Sequence, residues 1–173
     1  MNTTAAYADF SIKARCSNLV LVEQILRSMS PVYLGEDLQT DTYFSVPIGK
    51  MKLRTGNIER LLTHYLREED QGGKMKTTVF LYERNPSANF IREHTGKLRQ
   101  IGQVIKSRRI FFIGNVKFHL DTLGDQRFVE IEAIDRDGTL GIEVIREQAD
   151  KYRQLLGVTE RDIVNGSYID MLQ

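Results

Sequence analysis

Residues 114–132 have the sequence GNVKFHLDTLGDQRFVEIE, in which polar and apolar side chains alternate along two successive segments. In the first segment, apolar residues alternate with Lys117, His119 and Asp121. In the second, Glu130 and Glu132 alternate with Val129 and Ile131, and Ala133 follows. A period of two residues is typical of a β-strand with one apolar face. The Gly-Asn pair at the start of the stretch is a typical hairpin turn. These residues therefore predict an antiparallel sheet whose ionisable side chains share one face.

The same alternation recurs along most of the chain and predicts about eight strands and three helices. The predicted strands are Asp9–Arg15, Gln39–Val46, Gly49–Thr55, Leu61–Arg67, Lys76–Glu83, Gly102–Ile113, Val116–Thr122 and Arg127–Ile134. The predicted helices are 18–29, a short one opened by Asn85-Pro86-Ser87 and ending near Lys97, and 140–156, with Gly157 after the last. We expect an α+β fold in which an eight-stranded antiparallel sheet closes into a β-barrel with flanking helices.

Composition indicates a globular protein that forms one domain over residues 1–173. Hydrophobic residues make up 41% and charged residues 27%, and only three prolines and no linker-like stretch interrupt the chain. The net charge of +1, from 24 basic and 23 acidic residues, disfavours a nucleic-acid partner held by bulk charge. No apolar run approaches the roughly 20 residues that span a bilayer, so no membrane partner is expected.

The N-terminal residues and the cysteine content indicate a cytoplasmic protein. Residues 1–8 lack the basic start and apolar stretch of a secretory signal. The single cysteine, Cys16, excludes an internal disulfide and a zinc site built from several cysteines.

Basic residues recur on one face of successive predicted strands, and two interpretations of that face are open. Lys50, Lys52 and Arg54 share a face of one strand, as Lys106 and Arg108 do on another. In an ordinary amphipathic sheet this face would be solvated. In a closed barrel it would line the lumen and form a cage for a polyanion. Two arguments favour the cage: like charges on adjacent strands of an open surface repel each other, and the helices need the apolar face of the sheet.

Glu130 and Glu132, two residues apart on one strand, would then point into a basic lumen, where a divalent cation could bridge protein and phosphate. The chain contains neither a P-loop nor a Gly-x-Ser-x-Gly nucleophile elbow, so neither P-loop nucleotide binding nor serine hydrolysis is indicated.

Taken in order, the short motifs resemble the CYTH domains, also called triphosphate tunnel metalloenzymes, and more closely the class IV adenylyl cyclase branch of that superfamily. The segments that carry the resemblance are Ile12-Lys13-Ala14-Arg15, Asp41-Thr42-Tyr43-Phe44, Gly49-Lys50-Met51-Lys52-Leu53-Arg54, Tyr65, Arg67, Lys74, Lys106-Ser107-Arg108-Arg109, 114–121, 128–132 and 166–172.

The resemblance implies an eight-stranded tunnel that binds a triphosphate-containing small molecule with Mg²⁺ or Mn²⁺. The implied triphosphate contacts are Lys13, Arg15, Lys52, Arg54, Arg67, Lys106, Arg108 and Lys117, with Lys74 at the tunnel mouth and His119 assisting a phosphate or a proton transfer. The implied metal ligands are Asp9, Glu130, Glu132 and Asp121, the last as a ligand or as a residue that orients one. The implied catalytic residues are Lys13, Asp121, Glu130 and Glu132. A homodimer is a further expectation.

The first strand departs from the family pattern. The family signature is Glu-x-Glu-x-Lys, whereas this chain has Asp9-Phe10-Ser11-Ile12-Lys13 and so lacks the second carboxylate.

Three functions are therefore expected as alternatives. The first is an adenylate cyclase that forms cyclic AMP and pyrophosphate. The second is a triphosphatase acting on thiamine triphosphate or inorganic triphosphate. The third is a non-catalytic polyphosphate- or nucleotide-binding module. Tyr65 is the aromatic residue expected to approach a base.

Overall fold

The computed structural model describes residues 7–172, which form nine strands and four helices. The predicted domain, 1–173, also includes residues 1–6 and 173, which lie outside the described residues. The strands are β1 Tyr7–Arg15, β2 Val32–Ser45, β3 Lys50–Thr55, β4 Arg60–Glu69, β5 Met75–Arg84, β6 Gln100–Ile113, β7 Val116–Leu123, β8 Gln126–Asp135 and β9 Ile163–Val164. The helices are α1 Leu19–Ser28, α2 Ala88–Thr95, α3 Ile142–Leu155 and α4 Tyr168–Leu172.

The first eight strands close into an antiparallel barrel, which confirms the predicted architecture. Their order is β5-β4-β3-β2-β6-β7-β8-β1, and β1 also pairs with β5 to close the ring. Closure leaves none of these eight strands as an open edge of the sheet. The two-residue strand β9 pairs with β1 beside Lys13 and Ala14.

Strand β2 is longer than the sequence predicted, and helix α4 was not predicted. β2 begins at Val32 rather than Gln39. A register shift lies between Tyr33 and Gly35, where the backbone has a φ of +127°, so the alternation is interrupted in that part of the strand. Helix α4 has only five residues, too few to show a helical period.

The main hydrophobic core lies between the outer face of the barrel and the helices α1 and α3. Phe10, Phe111 and Phe118 on the strands pack with Leu26 of α1 and Ile145 of α3, and all five are fully buried or nearly so. Each large side chain of this kind contributes about 1.5–3 kcal/mol through burial. Because the apolar face of the sheet is covered by helices, the opposite, ionisable face lines the lumen.

A second hydrophobic cluster occupies one end of the barrel. Tyr168 and Ile169 of α4 pack against Tyr43, Val104 and Phe128 from three strands. We call this the plugged end.

The C-terminal segment is fixed beside this end by Lys50, which donates to Asp170 at 2.6 Å and to Ser167 at 2.7 Å. Arg84, the last residue of β5, and Arg136, which follows β8, are exposed at the other end of the barrel. We call this the open end. Within residues 7–172, no helix is long and apolar enough to cross a bilayer.

Candidate functional site

The barrel encloses a cavity of about 290 Å³ that brings together most of the predicted site residues. All eight strands contribute to its wall. The predicted residues that line it are Asp9, Lys13, Lys52, Arg54, Arg67, Lys106, Arg108, Lys117, His119, Glu130 and Glu132. The charged face of the sheet therefore lies inside the barrel, which is the second of the two interpretations that the sequence left open.

Several of the lumenal cations are already paired with carboxylates. Arg54 donates two hydrogen bonds to Asp41, at 2.8 and 2.9 Å, and Lys106 donates a third to the same carboxylate at 2.5 Å. Burial alone would raise the pKa of Asp41, but Arg54 and Lys106 hold it well below its usual range. Burial, together with the charge of Arg54, lowers the pKa of Lys106 to about 7.

Glu59 neutralises one further cation, Lys117, and also contacts Arg54, from a loop rather than from a strand. It accepts from Arg54 at 3.1 Å and from Lys117 at 2.6 Å. The loop is held in place because the Asp37 carboxylate accepts from the backbone N–H of Glu59 at 2.9 Å. A Cβ on Gly56 would lie 2.5 Å from an oxygen of Asp37, so the close approach of this carboxylate requires glycine there.

Asp121 lies behind the cavity wall, where it fixes Arg108. Arg108 donates two hydrogen bonds of 2.7 Å to the Asp121 carboxylate, and the Tyr168 hydroxyl donates a third at 2.6 Å. Burial alone would raise the pKa of Asp121, but the charge and hydrogen bonds of Arg108 lower it to about 2. The structure thus places Asp121 with Arg108 and Tyr168, apart from the other residues predicted to bind metal.

Two cavity-lining cations that are not exposed, Lys52 and Arg67, have no carboxylate partner within 4 Å among residues 7–172. They flank the ring of Tyr65, at 5.3 and 5.2 Å from its centre. Arg67 Nε is buried and has no hydrogen-bond partner. Burial and then the charge of Arg54 lower the pKa of Lys52 well below its usual range. Both side chains are therefore available to an anion in the cavity.

His119, Glu130 and Glu132 form the one cluster in the described chain whose three possible ligand atoms all lie within 4.8 Å of one another. We call it the His119 cluster. His119 Nδ1 lies 3.0 Å from Glu130 Oε1, and Lys13 Nζ lies 3.5 Å from Glu130 Oε2. Burial alone would raise the pKa of Glu130, but Lys13 and His119 hold it well below its usual range. Burial lowers the pKa of His119 to about 4, so the ring is neutral near pH 7.

The donor atoms of the His119 cluster are suited to a divalent cation. Glu130 Oε2 and His119 Nε2 are buried and have no hydrogen-bond partner. The nearest cation to Glu130 Oε2 is the Lys13 ammonium at 3.5 Å. A buried carboxylate oxygen without a hydrogen bond is costly, and it is the type of ligand that divalent cations bind. Asp9 faces the same cavity. Burial and the charge of the adjacent Glu132 raise the pKa of Asp9 well above its usual range.

Two of the predicted triphosphate contacts lie outside the cavity lining. Arg15 is exposed at the end of β1 and donates to Gln126 at 3.2 Å. Lys74 donates to Asp150 of α3 at 2.9 Å on the outside of the barrel. The structure does not bring either side chain together with the other predicted contacts.

The lumenal residues that were not predicted as part of the site include Tyr7, Asp41, Glu59 and Tyr82. Asp41 alternates in phase with Tyr43, so its position could have been found from the pattern of β2. The two tyrosines pack edge to face with ring centres 5.6 Å apart, near the open end.

Arg136 and Arg84 lie over these two rings, at 5.9 Å from the centre of Tyr7 and 5.7 Å from that of Tyr82. These two tyrosines and two arginines offer aromatic and guanidinium faces on which an organic ring can stack. Tyr65 lines the cavity beside Lys52 and Arg67, and its expected approach to a base stays a prediction.

Comparison with solved structures finds proteins with the same fold. A protein from Pyrococcus horikoshii OT3 superposes with a TM-score of 0.75 at 21% identity, covering 94% of this chain and 98% of that one. A “putative adenylate cyclase” from Vibrio parahaemolyticus gives 0.73 at 16% identity, covering 98% and 99%. The Hippeastrum protein HpAC1, a “putative adenylyl cyclase” with a dominant triphosphatase activity, gives 0.55 at 14% identity, covering 87% and 88%.

The structural similarities show the fold alone, whereas a sequence model of a protein family shows which family the chain belongs to. No curated protein matches the chain by sequence. The model of the CYTH domain matches residues 18–167. The chain therefore belongs to the CYTH domain family.

Proposed function

We propose that the chain binds a nucleoside triphosphate with a divalent cation in the lumen and converts ATP to cyclic AMP and pyrophosphate. The observation that carries the proposal is the pair of cations without carboxylate partners, Lys52 and Arg67, in a cavity that also contains the His119 cluster. Uncompensated charge inside a protein is costly, and its retention here is explained if an anion supplies the missing partner. We place this activity in the cytoplasm, because the chain has a single cysteine.

The two sides of the cavity carry complementary chemistry. Lys52 of β3, Arg67 of β4 and Lys106 of β6 form a basic wall. Glu130 and Glu132 of β8 and Asp9 of the neighbouring strand β1 form an acidic part of the wall. A polyphosphate between these walls would meet ammonium and guanidinium groups on one side and a carboxylate-held cation on the other. Each hydrogen bond to a charged group contributes about 1.5–3 kcal/mol, so several together favour a ligand with a high charge density.

Glu130 and Glu132, with Asp9 beside them, would hold Mg²⁺ or Mn²⁺. The bound cation would supply neutralisation of phosphate charge and polarisation of the phosphoryl oxygens. The contribution of this chain's own residues is to position the triphosphate and to stabilise the developing charge on its oxygens.

The order of residues along the strands favours a reaction at the phosphorus nearest the organic group. On β1 the inward residues run from Lys13, whose ammonium lies 3.9 Å from the ring centre of Tyr168 at the plugged end, through Asp9 to Tyr7 at the open end. An organic ring stacked near Tyr7 would place its attached phosphate beside Asp9 and Glu132, and the terminal phosphate near Lys13.

In the cyclisation, the ribose 3′-hydroxyl oxygen bonds to the α-phosphorus. The bond from that phosphorus to the bridging oxygen breaks. Pyrophosphate leaves with the electron pair, and the hydroxyl proton is released to solvent.

Product analysis after incubation with ATP and Mn²⁺ or Mg²⁺ tests the proposal. We expect cyclic AMP and pyrophosphate from the wild type, and neither from the double variant Glu130→Gln/Glu132→Gln, with the fold intact by circular dichroism. Glu147→Gln, at an exposed position of α3, is the matched control and should retain activity. Unchanged rates in the double variant would contradict the metal assignment.

The other outcomes distinguish the alternatives. Release of orthophosphate from ATP, thiamine triphosphate or inorganic triphosphate would show hydrolysis instead of cyclisation. Tight binding of tripolyphosphate without any product would identify a binding module, and turnover that appears only in Ser11→Glu would assign the loss of activity to Ser11.

A further inference from the structure

We infer that His119 is a metal ligand, and that its imidazole nitrogen makes this site selective for Mn²⁺, Co²⁺ or Zn²⁺ over Mg²⁺. The inference deepens the proposed function, because it concerns the cation that would act with the triphosphate. It rests on the position of one imidazole ring between two carboxylates and on the atoms around it that have no partner.

The strand register places the ring within the carboxylate pair. His119 of β7 pairs directly with Glu130 of β8, and Lys117 pairs with Glu132, so all of these side chains point into the lumen. The ring is only 2% exposed, and it lines the cavity. A fully buried imidazole is fixed in orientation, so binding a cation requires little ordering of the side chain.

The distance between the two nearest ligand atoms suits a shared cation. His119 Nδ1 and Glu130 Oε1 are 3.0 Å apart. Neighbouring ligands of an octahedral ion with bonds of about 2.1 Å are also separated by about 3 Å. In the free protein, Nδ1–H donates to the carboxylate, because an ionised carboxylate can only accept. A cation that replaces this proton would therefore need little movement of either group.

The second ring nitrogen of His119, Nε2, would donate a hydrogen bond to a bound polyphosphate. Nε2 is buried without a hydrogen-bond partner. When Nδ1 is the ligand, the neutral ring carries its proton on Nε2, which becomes a donor facing the cavity. An oxygen of a bound polyphosphate would accept this hydrogen bond and so satisfy the orphaned atom.

The carboxylate of the first strand, Asp9, faces the same cavity but is not part of the compact cluster of ligand atoms. The residue that pairs with Glu132 on β1 is Ser11. The compact donor set is thus two carboxylates and one imidazole. Magnesium prefers oxygen ligands, whereas an imidazole nitrogen adds affinity for first-row transition metals, least for Mn²⁺ and more for Co²⁺ and Zn²⁺.

Pulsed electron paramagnetic resonance of Mn²⁺ bound to the metal-stripped protein tests the assignment directly. It is measured with Mn²⁺ alone and with Mn²⁺ plus tripolyphosphate. We expect the nitrogen coupling of a ligated imidazole in the wild type and its loss in His119→Gln. The matched control is His94→Gln, whose ring lies on α2 and bonds to the Phe90 carbonyl, and the coupling should persist there. In calorimetry, His119→Gln should lose about 10-fold or more in Mn²⁺ affinity and little in Mg²⁺ affinity.

Each outcome separates this inference from the proposed function. Nitrogen coupling with Mn²⁺ alone supports the inference even if tripolyphosphate does not bind, a result that would count only against the proposed function. Bound Mn²⁺ without nitrogen coupling in the wild type would overturn the inference while the proposed function stands. An unchanged coupling in His119→Gln, or no binding of Mn²⁺ in either arm, would also overturn it.

Discussion

Replacing Lys52 by methionine should stabilise the free protein and weaken triphosphate binding, two effects of opposite sign from one substitution. Lys52 has no carboxylate within 4 Å among the described residues, and it faces the cavity beside Arg54 and Lys106. The ammonium therefore contributes repulsion and desolvation cost until an anion binds. Methionine keeps a similar length without the charge.

The magnitude follows from the partial burial of the side chain. Exchange of a buried charge for an apolar residue stabilises by up to about 1–4 kcal/mol, and Lys52 retains some contact with solvent, so we expect about 1 kcal/mol. For a chain of this size that corresponds to a rise in Tm of about 2–4 °C. Loss of a hydrogen bond to a charged group costs about 1.5–3 kcal/mol, so the affinity for tripolyphosphate should fall by about 10- to 100-fold.

The dependence of the stability gain on pH has a defined sign. The pKa of Lys52 is lower in the folded protein than in the unfolded chain, so the unfolded chain binds the proton more readily. The ionised side chain therefore costs stability at pH values below 10.5, and the cost grows as the pH falls towards the folded pKa. The gain from Lys52→Met should be larger at pH 6 than at pH 9.5.

Lys117→Met is the matched control for this experiment. Lys117 also faces the cavity, but its ammonium is paired with Glu59 at 2.6 Å. Its removal should weaken tripolyphosphate binding similarly, yet lower the stability by about 2 kcal/mol because Glu59 loses its nearer partner. Thermal denaturation and calorimetric titration of both variants measure the two effects. A fall in Tm for Lys52→Met, or an unchanged affinity, would refute the argument.

Three further predictions concern the network around the cavity. Tyr168→Phe removes the 2.6 Å hydrogen bond to buried Asp121 and should lower the free energy of unfolding in urea by about 1–3 kcal/mol; no loss would show that α4 contributes little at the plugged end. Because the pKa of Lys106 is about 7 in the free protein and a bound phosphate would raise it, binding at pH 8 should take up about one proton, and the affinity should fall as the pH rises above 7. Calorimetry in two buffers of different ionisation enthalpy measures this uptake, and equal heats would contradict it. Gly56→Ala puts a Cβ 2.5 Å from an Asp37 oxygen and should displace the loop that carries Glu59, lowering Tm by several degrees; an unchanged Tm would contradict this role of Gly56.

The alternation of side chains was sufficient to predict the barrel and most of its lining. Lys117, His119 and Glu130 lie where a period of two residues places them, on the face opposite the residues that pack beneath α1 and α3. The orientation of that face could be argued from the sequence because the apolar faces of the helices need an apolar sheet face to cover.

The predictions were incomplete where the backbone interrupts the alternation. A register shift between His64 and Tyr65 reverses the phase of β5. Thr77 and Val79 line the cavity before it, whereas Tyr82 and Arg84 do so after it, so continued alternation would have placed the latter outside.

The pairing of lumenal cations with carboxylates could not be predicted from strand periodicity alone. Glu59 reaches Lys117 from a loop, where side chains follow no fixed period. Asp121 has the correct phase for the lumen, but the bonds from Arg108 and Tyr168 hold it behind the cavity wall. Such partners depend on contacts between residues that are distant in the sequence.

Calorimetric titration of the protein with orthophosphate, pyrophosphate and tripolyphosphate, each with and without Mn²⁺, tests the central claim most directly. If Lys52, Arg67 and the His119 cluster hold a polyphosphate between two walls, the affinity should rise at least about 10-fold with each added phosphate and rise again with Mn²⁺. Equal affinity for the three ligands, or no binding of tripolyphosphate with Mn²⁺ present, would contradict the assignment of the lumen as a triphosphate site.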